Sequence, residues 1–244
     1  MASGQGKPGG WLSFLPLTIW GAREIGLSLA LLLVLAAAFG WLALAFHPAL
    51  ALLVLLPLLV FGWVLWFFRH PHRVVPPGEF LLVSPADGVV THLDQAEEPD
   101  FIGGPAWRCS IFLSIFNVHL NRAPLAGRVE YLRFRPGAFF DARREESLTK
   151  NQNQDVGLLP LETGAPARVL VRQSTGAIAR RIVCPLAVGE TLARGECYGM
   201  IKFGSRTTLF LPREGGVEWR VATGDRVKAG ETVLAVFNRP PRPE

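Results

Sequence analysis

Lysine and cysteine are scarce in this 244-residue chain, and each scarcity excludes something. Only four of the 25 basic residues are lysine (Lys7, Lys150, Lys202 and Lys228), which leaves 21 arginines. That bias favours bidentate recognition of carboxylates and phosphates over point-charge binding. The three cysteines, Cys109, Cys184 and Cys197, are an odd number with no CxxC pair. They offer neither a disulfide framework nor a four-ligand zinc site, and they fit a reducing compartment. Charged residues make up 18% of the chain against 50% apolar, too greasy for a disordered protein. A net charge of +5 points to acidic partners: phosphate, nucleic acid or anionic lipid.

Charge is absent altogether from two long stretches. Ile25 to Phe46 runs 22 residues without a charge and Ala49 to Phe68 another 20, separated only by His47-Pro48. At about 1.5 Å per residue, each is long enough to cross a hydrocarbon core of roughly 30 Å as a helix. The first run is too long for a cleaved signal peptide, is preceded by Glu24, and is followed at once by a second. Lys7 and Arg23 precede the runs, Arg69 and Arg73 follow them, and the connection carries no cation. Both ends are therefore expected on the cytoplasmic side of a cell membrane. The tight connection and Pro57 leave a shallow, half-buried hairpin open beside two full spans. Trp11 to Gly21, with Trp11, Phe14 and Trp20, suits the membrane interface. His70-Pro71-His72 has no Cys or carboxylate beside it and reads as a headgroup boundary, not a metal site.

From residue 74 the chain turns to short β-type segments punctuated by Gly and Pro: 80–83, 88–91, 107–114, 127–134, 167–173, 179–184, 207–211, 217–221 and 232–237. The polar stretch 141–156 (DARREESLTKNQNQDV) reads as a loop with at most a helical turn, its Arg143, Arg144, Glu145 and Glu146 a solvated face. An internal repeat is present: VGETLARGECYGMIK at 188–202 and TGDRVKAGETVLAVF at 223–237 share Gly-acid-x-apolar-x-x-Gly-Glu. The pattern resembles the half-unit of biotinyl and lipoyl domains, in which the glycines adopt positive φ at tight turns. SPADGVV at 84–90 is a third turn of similar kind. The expected fold class is mainly β with minor α: residues 1–73 as an interfacial segment and hydrophobic helical hairpin, transmembrane or monotopic, and residues 74–244 as a barrel-sandwich-hybrid-like domain.

Three constellations carry reactive groups: Phe203-Gly204-Ser205-Arg206, Pro85-Ala86-Asp87-Gly88, and Phe116 to Pro124 (FNVHLNRAP). Together they supply a serine, a histidine and an aspartate, the nucleophile, base and orienter of an activated hydroxyl. Each alone is an ordinary turn or strand element, and spacing alone does not bring them together.

The set SPADG, FNVHLNRAP, ARRIVC and IKFGSRTTLFLP, in this order after a membrane hairpin, resembles phosphatidylserine decarboxylase of the short prokaryotic type, including its archaetidylserine-acting members. The likeness runs from about Val74 to Val236. It implies a proenzyme that cuts itself between Gly204 and Ser205 into chains of residues 1–204 and 205–244, which remain associated. It also implies a pyruvoyl cofactor made from Ser205, with no metal, and decarboxylation of phosphatidylserine to phosphatidylethanolamine. On this resemblance Ser205, His119 and Asp87 are catalytic, with His119 the base that starts the cut, a proton donor in turnover, or both. Longer members carry a second histidine where this chain has Arg122; Arg122 and its neighbour Asn121 are candidates for substrate binding. Phe112, Phe116, Phe139 and Phe140 suit an apolar mouth for acyl chains. The implied partner is phosphatidylserine in an anionic membrane, with a diacyl or an archaeal ether backbone both open and a homodimer the expectation the family supplies.

Two readings compete. Lys202 beside the repeat could be the modified lysine of a membrane-anchored, non-catalytic carrier or adaptor module, although its flanks lack the carrier's usual residues and such a module gives no reason for Asp87 and His119. The arginines could bind nucleic acid, but the aromatic-plus-basic stripe is missing, and anionic lipid accounts for both the charge and the anchor.

Overall fold

The two charge-free runs form helices and the punctuated remainder mainly strands, and the chain divides accordingly into residues 1–72 and 73–244, each a compact unit in the computed structural model. The structure describes residues 16–144, 146–162, 168–177, 181–202, 204–214 and 216–237. Lys7, Trp11, Phe14, Glu145 and Phe203 lie outside them, as do residues 167, 179 and 180 of the expected strands.

In the first unit, α1 (Ala22–Ala45) and α2 (Leu55–Phe67) are long and apolar enough, with their flanking turns, to cross a bilayer. No residue of α1 is buried in protein, and Leu27, Val34, Trp41 and Leu44 stand out by well over half their surface. The second run does not begin as an α-helix. Pro48–Val54 forms a 3₁₀ turn instead, capped by His47 Nδ1, which accepts the Ala49 amide proton at 3.2 Å. Pro57 then falls in the first turn of α2, where a missing N–H costs no intrahelical bond, so it does not bend the helix mid-way. The base of the hairpin is tied by backbone bonds from Thr18 N–H to Phe68 O (2.9 Å) and from His70 N–H to Pro16 O (2.5 Å). A Cβ on Gly21 would run into the Phe68 ring. Arg69 closes α2, its guanidinium 4.3 Å from the Trp66 ring centroid, an arrangement suited to a headgroup boundary.

The second unit holds, among the described residues, β1 (Leu81–Val83), β2 (Gly88–Glu98), β3 (Gly104–Leu113), β4 (Leu120–Arg122), β5 (Gly127–Arg135), α3 (Ser147–Lys150), β6 (Asn153–Pro160), β7 (Val169–Ser174), β8 (Arg181–Val183), β9 (Thr191–Leu192), β10 (Cys197–Lys202), β11 (Ser205–Pro212), β12 (Val217–Trp219), β13 (Arg226–Val227) and β14 (Val233–Phe237). An antiparallel sheet in the order β13-β2-β3-β11-β7-β6-β5-β9 curls into a half-barrel. Two three-stranded sheets, β1-β14-β12 and β4-β10-β8, complete the unit. Alternating side chains of these strands, among them Leu82, Ile111, Val156, Val171, Leu209 and Tyr198, fill one core.

The repeat is real in three dimensions. Gly189 and Gly224 have φ of +95° and +101°, and Gly195 and Gly230 +78° and +76°, values that favour glycine. Each copy also lies on an equivalent partner: Leu192 pairs with Gly127 on β5, and Val227 with Gly88 on β2. Gly195 N–H bonds Ala123 O just as Gly230 N–H bonds Ser84 O, both at 2.8 Å. The third turn, SPADGVV, thus has its own counterpart in APLAGRV at 123–129, and the two half-units are tied together by matching bonds. In that relation Asp87 of one half corresponds to Ala126 of the other, so the acid is unique to one copy.

Two expectations are corrected. Residues 153–156 are not loop but the start of β6, at the middle of the large sheet. Its polar character served as a loop signal, yet Asp155 is fully buried, held by Arg135 and by Arg172 Nε at 2.7 Å. Lys202 is not a displayed lysine; it is 5% exposed within β10, where no carrier modification could be presented.

Candidate active site

β10 ends at Lys202 in one sheet and β11 begins at Ser205 in another, so the chain has changed sheets by Ser205. Gly204 makes that crossing at φ +59°, a left-handed conformation that costs an L-residue about 1–2 kcal/mol. Space is not the constraint, since a Cβ there would meet only Ile115 Cγ2, at an ordinary 3.7 Å. Gly176 is the reverse case: any Cβ on it would run into the Gly204 carbonyl oxygen, so its bareness lets that carbonyl sit where it does.

Ser205 opens β11 opposite Leu113 of β3 and is fully buried. Its hydroxyl oxygen has no hydrogen-bond partner among the described residues. A buried hydroxyl left unpaired costs roughly 1–3 kcal/mol, which fits a side chain kept for a reaction rather than for the fold.

His119 comes to the same place from the segment just before β4. Its carbonyl accepts the Ile201 amide proton at 3.1 Å, which hangs the residue on β10. Its ring is fully buried, and Nε2 lies 3.0 Å from the Gly204 nitrogen. An amide can only donate, so Nε2 is the acceptor and the ring proton sits on Nδ1, facing the Asn117 carbonyl at 3.0 Å. Asn117 is itself fixed by a turn: its side-chain oxygen accepts from Ser114 N–H (2.9 Å) and Ser114 O–H (2.8 Å). An imidazole in this tautomer turns a basic lone pair toward the Gly204-Ser205 segment.

Asp87 sits on the turn before β2. Gly88 must be glycine because a Cβ would strike the Phe112 carbonyl, and this close approach sets the turn against the end of β3 where β11 starts. One Asp87 oxygen accepts from Arg73 at 2.7 Å and the other from the Ala229 amide at 2.8 Å. Arg73 also holds Glu231 at 3.0 Å. Burial opposes ionisation of Glu231, but the Arg73 hydrogen bond and charge outweigh it and lower its pKa. Arg73, in the sequence merely a cation after the second apolar run, is the clamp of this cluster.

Asn121 and Arg122 follow His119 on β4. The Asn121 amide is fully buried and bonded within the protein: it donates to Thr207 Oγ1 (2.9 Å) and Pro85 O (3.4 Å) and accepts from Gln173 (2.8 Å). It links β4, β7, β11 and the Asp87 turn. Arg122 donates to Gly195 O at 2.8 Å and packs against Gly230, between the two repeat turns. Burial lowers its pKa, with the Cys197, Asp87 and Glu231 charges opposing and Arg73 adding to the effect. Phe116 and Phe139 present exposed rings, 64% and 38%.

The site thus gathers His119, Gly204 and Ser205 around the sheet crossing, and ties the Asp87 turn to them through Pro85 O, which accepts from the Arg122 amide at 3.0 Å as well as from Asn121. Sequence reasoning passed over Asn117, although it stands inside the quoted FNVHLN, and over Gly176 and Arg73, which carry no local signal. The thiols are out of play: burial pushes Cys109 up to about 12 and Cys184 and Cys197 to about 11. Among the described residues no group of three His, Cys, Asp or Glu side chains could hold a metal ion.

A family model described as phosphatidylserine decarboxylase matches residues 60–235. A phosphatidylserine decarboxylase proenzyme of Rhodopirellula baltica is 44% identical over 229 residues, 94% of this chain and 91% of the relative. Proteins of the same name from Symbiobacterium thermophilum and Carboxydothermus hydrogenoformans are 47% and 45% identical, covering 70% and 74% of this chain and 78% and 82% of theirs. With the match spanning both the β unit and the sheet crossing that holds Ser205, the chain belongs to the phosphatidylserine decarboxylase family of carboxy-lyases.

Proposed function

We propose that this chain is a self-cleaving proenzyme that decarboxylates phosphatidylserine to phosphatidylethanolamine at a membrane surface. The observation that carries the reading is the buried, unpartnered Ser205 hydroxyl next to a left-handed Gly204 whose amide is held 3.0 Å from His119 Nε2.

In maturation His119 takes the Ser205 hydroxyl proton, and the oxygen attacks the Gly204 carbonyl. The Gly204-Ser205 C–N bond breaks, an ester forms, and the proton passes to the Ser205 nitrogen. Loss of the Ser205 α-proton then expels the acyl oxygen, leaving a carboxylate on Gly204 and dehydroalanine at residue 205; hydrolysis of the imine tautomer releases ammonia and leaves a ketone. The chains are residues 1–204 and 205–244. The pyruvoyl group so formed supplies an electron sink for the departure of carbon dioxide. The Asn117 carbonyl keeps the His119 tautomer, and Asp87, charge-balanced by Arg73, favours the imidazolium that proton uptake creates. His119 is also placed to return a proton in turnover.

Arg122 supports recognition of the anionic headgroup, with Asn121 as the positioning residue beneath it. The apolar hairpin anchors the chain in the cell membrane with the β unit on the cytoplasmic side, and Phe116 and Phe139 serve as acyl-chain contacts. Intact-mass spectrometry under denaturing conditions tests the reading: from wild type two chains are expected, the smaller of 40 residues with a pyruvoyl in place of Ser205, and from Ser205→Ala a whole chain. A single uncut chain from wild-type protein in active membranes would refute it.

A further inference from the structure

Next to Ser205, the arginine at position 206 is 1% exposed, and none of its three guanidinium nitrogens has a hydrogen-bond partner among the described residues. Burial and the nearby Arg108 charge push its pKa down to about 10, against the pull of Asp141, which still leaves a cation at neutral pH. An uncompensated buried cation is among the costlier features a fold can carry. Among the described residues the acid that acts on it, Asp141, is already engaged by Arg143, whose guanidinium donates to it at 2.6 Å and whose amide donates at 2.9 Å.

Successive residues of a strand face opposite sides. Arg206 therefore leaves the core face that carries Ser205, Thr207 and Leu209 and shares the other face with its cross-strand partners Phe112 and Ser174. The Gly204 carbonyl oxygen lies against Gly176, two residues beyond Ser174, and the Cβ position of Gly176 is 3.3 Å from the Cβ of Ala142, the neighbour of Asp141. The scissile carbonyl and the orphan guanidinium thus share one covered neighbourhood. In the intact chain that carbonyl is neutral. Self-cleavage turns it into a carboxylate, held within two residues of β10 by the pairing of that strand with β4 and β8.

We propose that Arg206 is a built-in carboxylate site whose guanidinium receives the new C-terminal carboxylate that cleavage leaves on Gly204. The inference rests on the self-cleavage proposed above. The cation that strains the proenzyme becomes half of a buried, bidentate ion pair joining the two chains, so cleavage stabilises the product as well as creating the cofactor.

The test measures thermal unfolding of purified protein with Arg206→Met introduced separately into cleaved wild type and into the uncut Ser205→Ala chain. The substitution is expected to raise the transition of the uncut form and lower that of the cleaved form, by about 5 °C in each direction. A fall in both would mean a packing role and overturn the proposal. A rise in both, accompanied by an increased KM for dispersed short-chain phosphatidylserine, would assign the site to the substrate carboxylate and overturn the Gly204 pairing. Should Arg206→Met fail to fold, [1-13C]glycine labelling of wild type keeps the question open to refutation: only one of the 25 glycines can become a carboxylate. Pairing would hold that resonance ionised below the ordinary terminal range of about 3.3–3.7, and an ordinary midpoint would overturn it. Wild-type protein that stays whole would overturn the self-cleavage reading and this proposal together, whereas same-sign shifts in cleanly cut protein overturn this proposal alone.

Discussion

Replacing His119 separates its chemistry from its place in the fold. The ring is fully buried and satisfies two groups, the Gly204 amide through Nε2 and the Asn117 carbonyl through Nδ1, each at 3.0 Å. His119→Ala leaves both without a partner, at about 1–3 kcal/mol each, on top of the cavity. His119→Gln can present an acceptor to one and a donor to the other, so it should retain most of the stability. Neither variant has a base. Loss of general base catalysis is worth about 10²–10⁴ in rate, or roughly 3–5 kcal/mol of barrier, and both variants should cut that much more slowly despite their different stabilities. The assay follows the uncut mass with time after synthesis into detergent or nanodiscs, alongside urea unfolding of the same samples. Cleavage of His119→Gln within a few-fold of wild type, or rates that track stability across the two variants, would refute the assignment.

Gly176→Ala places a methyl against the Gly204 carbonyl; displacing the scissile group should slow cleavage about 100-fold with a folded β unit by circular dichroism. Asp155→Ala removes the fully buried carboxylate shared by Arg135 and Arg172 and leaves them only the flanking Asp100 and Glu98, and the expected loss is about 3 kcal/mol in denaturant unfolding. Asp94 is held below its ordinary value of 3.8, chiefly by its hydrogen bond from Arg108 and against burial. A depressed carboxylate contributes stability above its unfolded pKa that is lost as pH falls through the folded one. The urea midpoints of Arg108→Gln and wild type should therefore differ most above about pH 5 and converge as the pH drops below 3.8; a constant gap would contradict the pairing.

How much could be read without coordinates depended on whether the signal was local. The helical hairpin follows from composition alone, because a charge-free run of this length has no other way to satisfy its backbone in hydrocarbon. The left-handed glycines of the repeat were legible for a similar reason: positive φ selects glycine wherever it occurs. The strand β6 was not legible, since Asn153 and Asp155 look like loop residues until neighbouring strands supply Arg135, which donates to both, and Arg172, which pairs with Asp155. The short β4 and the correspondence of APLAGRV to SPADGVV were hidden by the same non-locality.

At the site, the sequence by itself determined which reactive groups exist and where the sheet crossing falls, because Gly204-Ser205 sits between two strands and the residue types carry their own chemistry. Only the tertiary structure decided which of them meet. His119 reaches Gly204 because β4 pairs with β10 across 80 residues of chain; Asp87 is clamped by Arg73 and Ala229; and Arg206 is left alone beneath a covered face. Those outcomes are set by strand register and by which face each side chain takes, and both arise from pairings between segments distant in sequence.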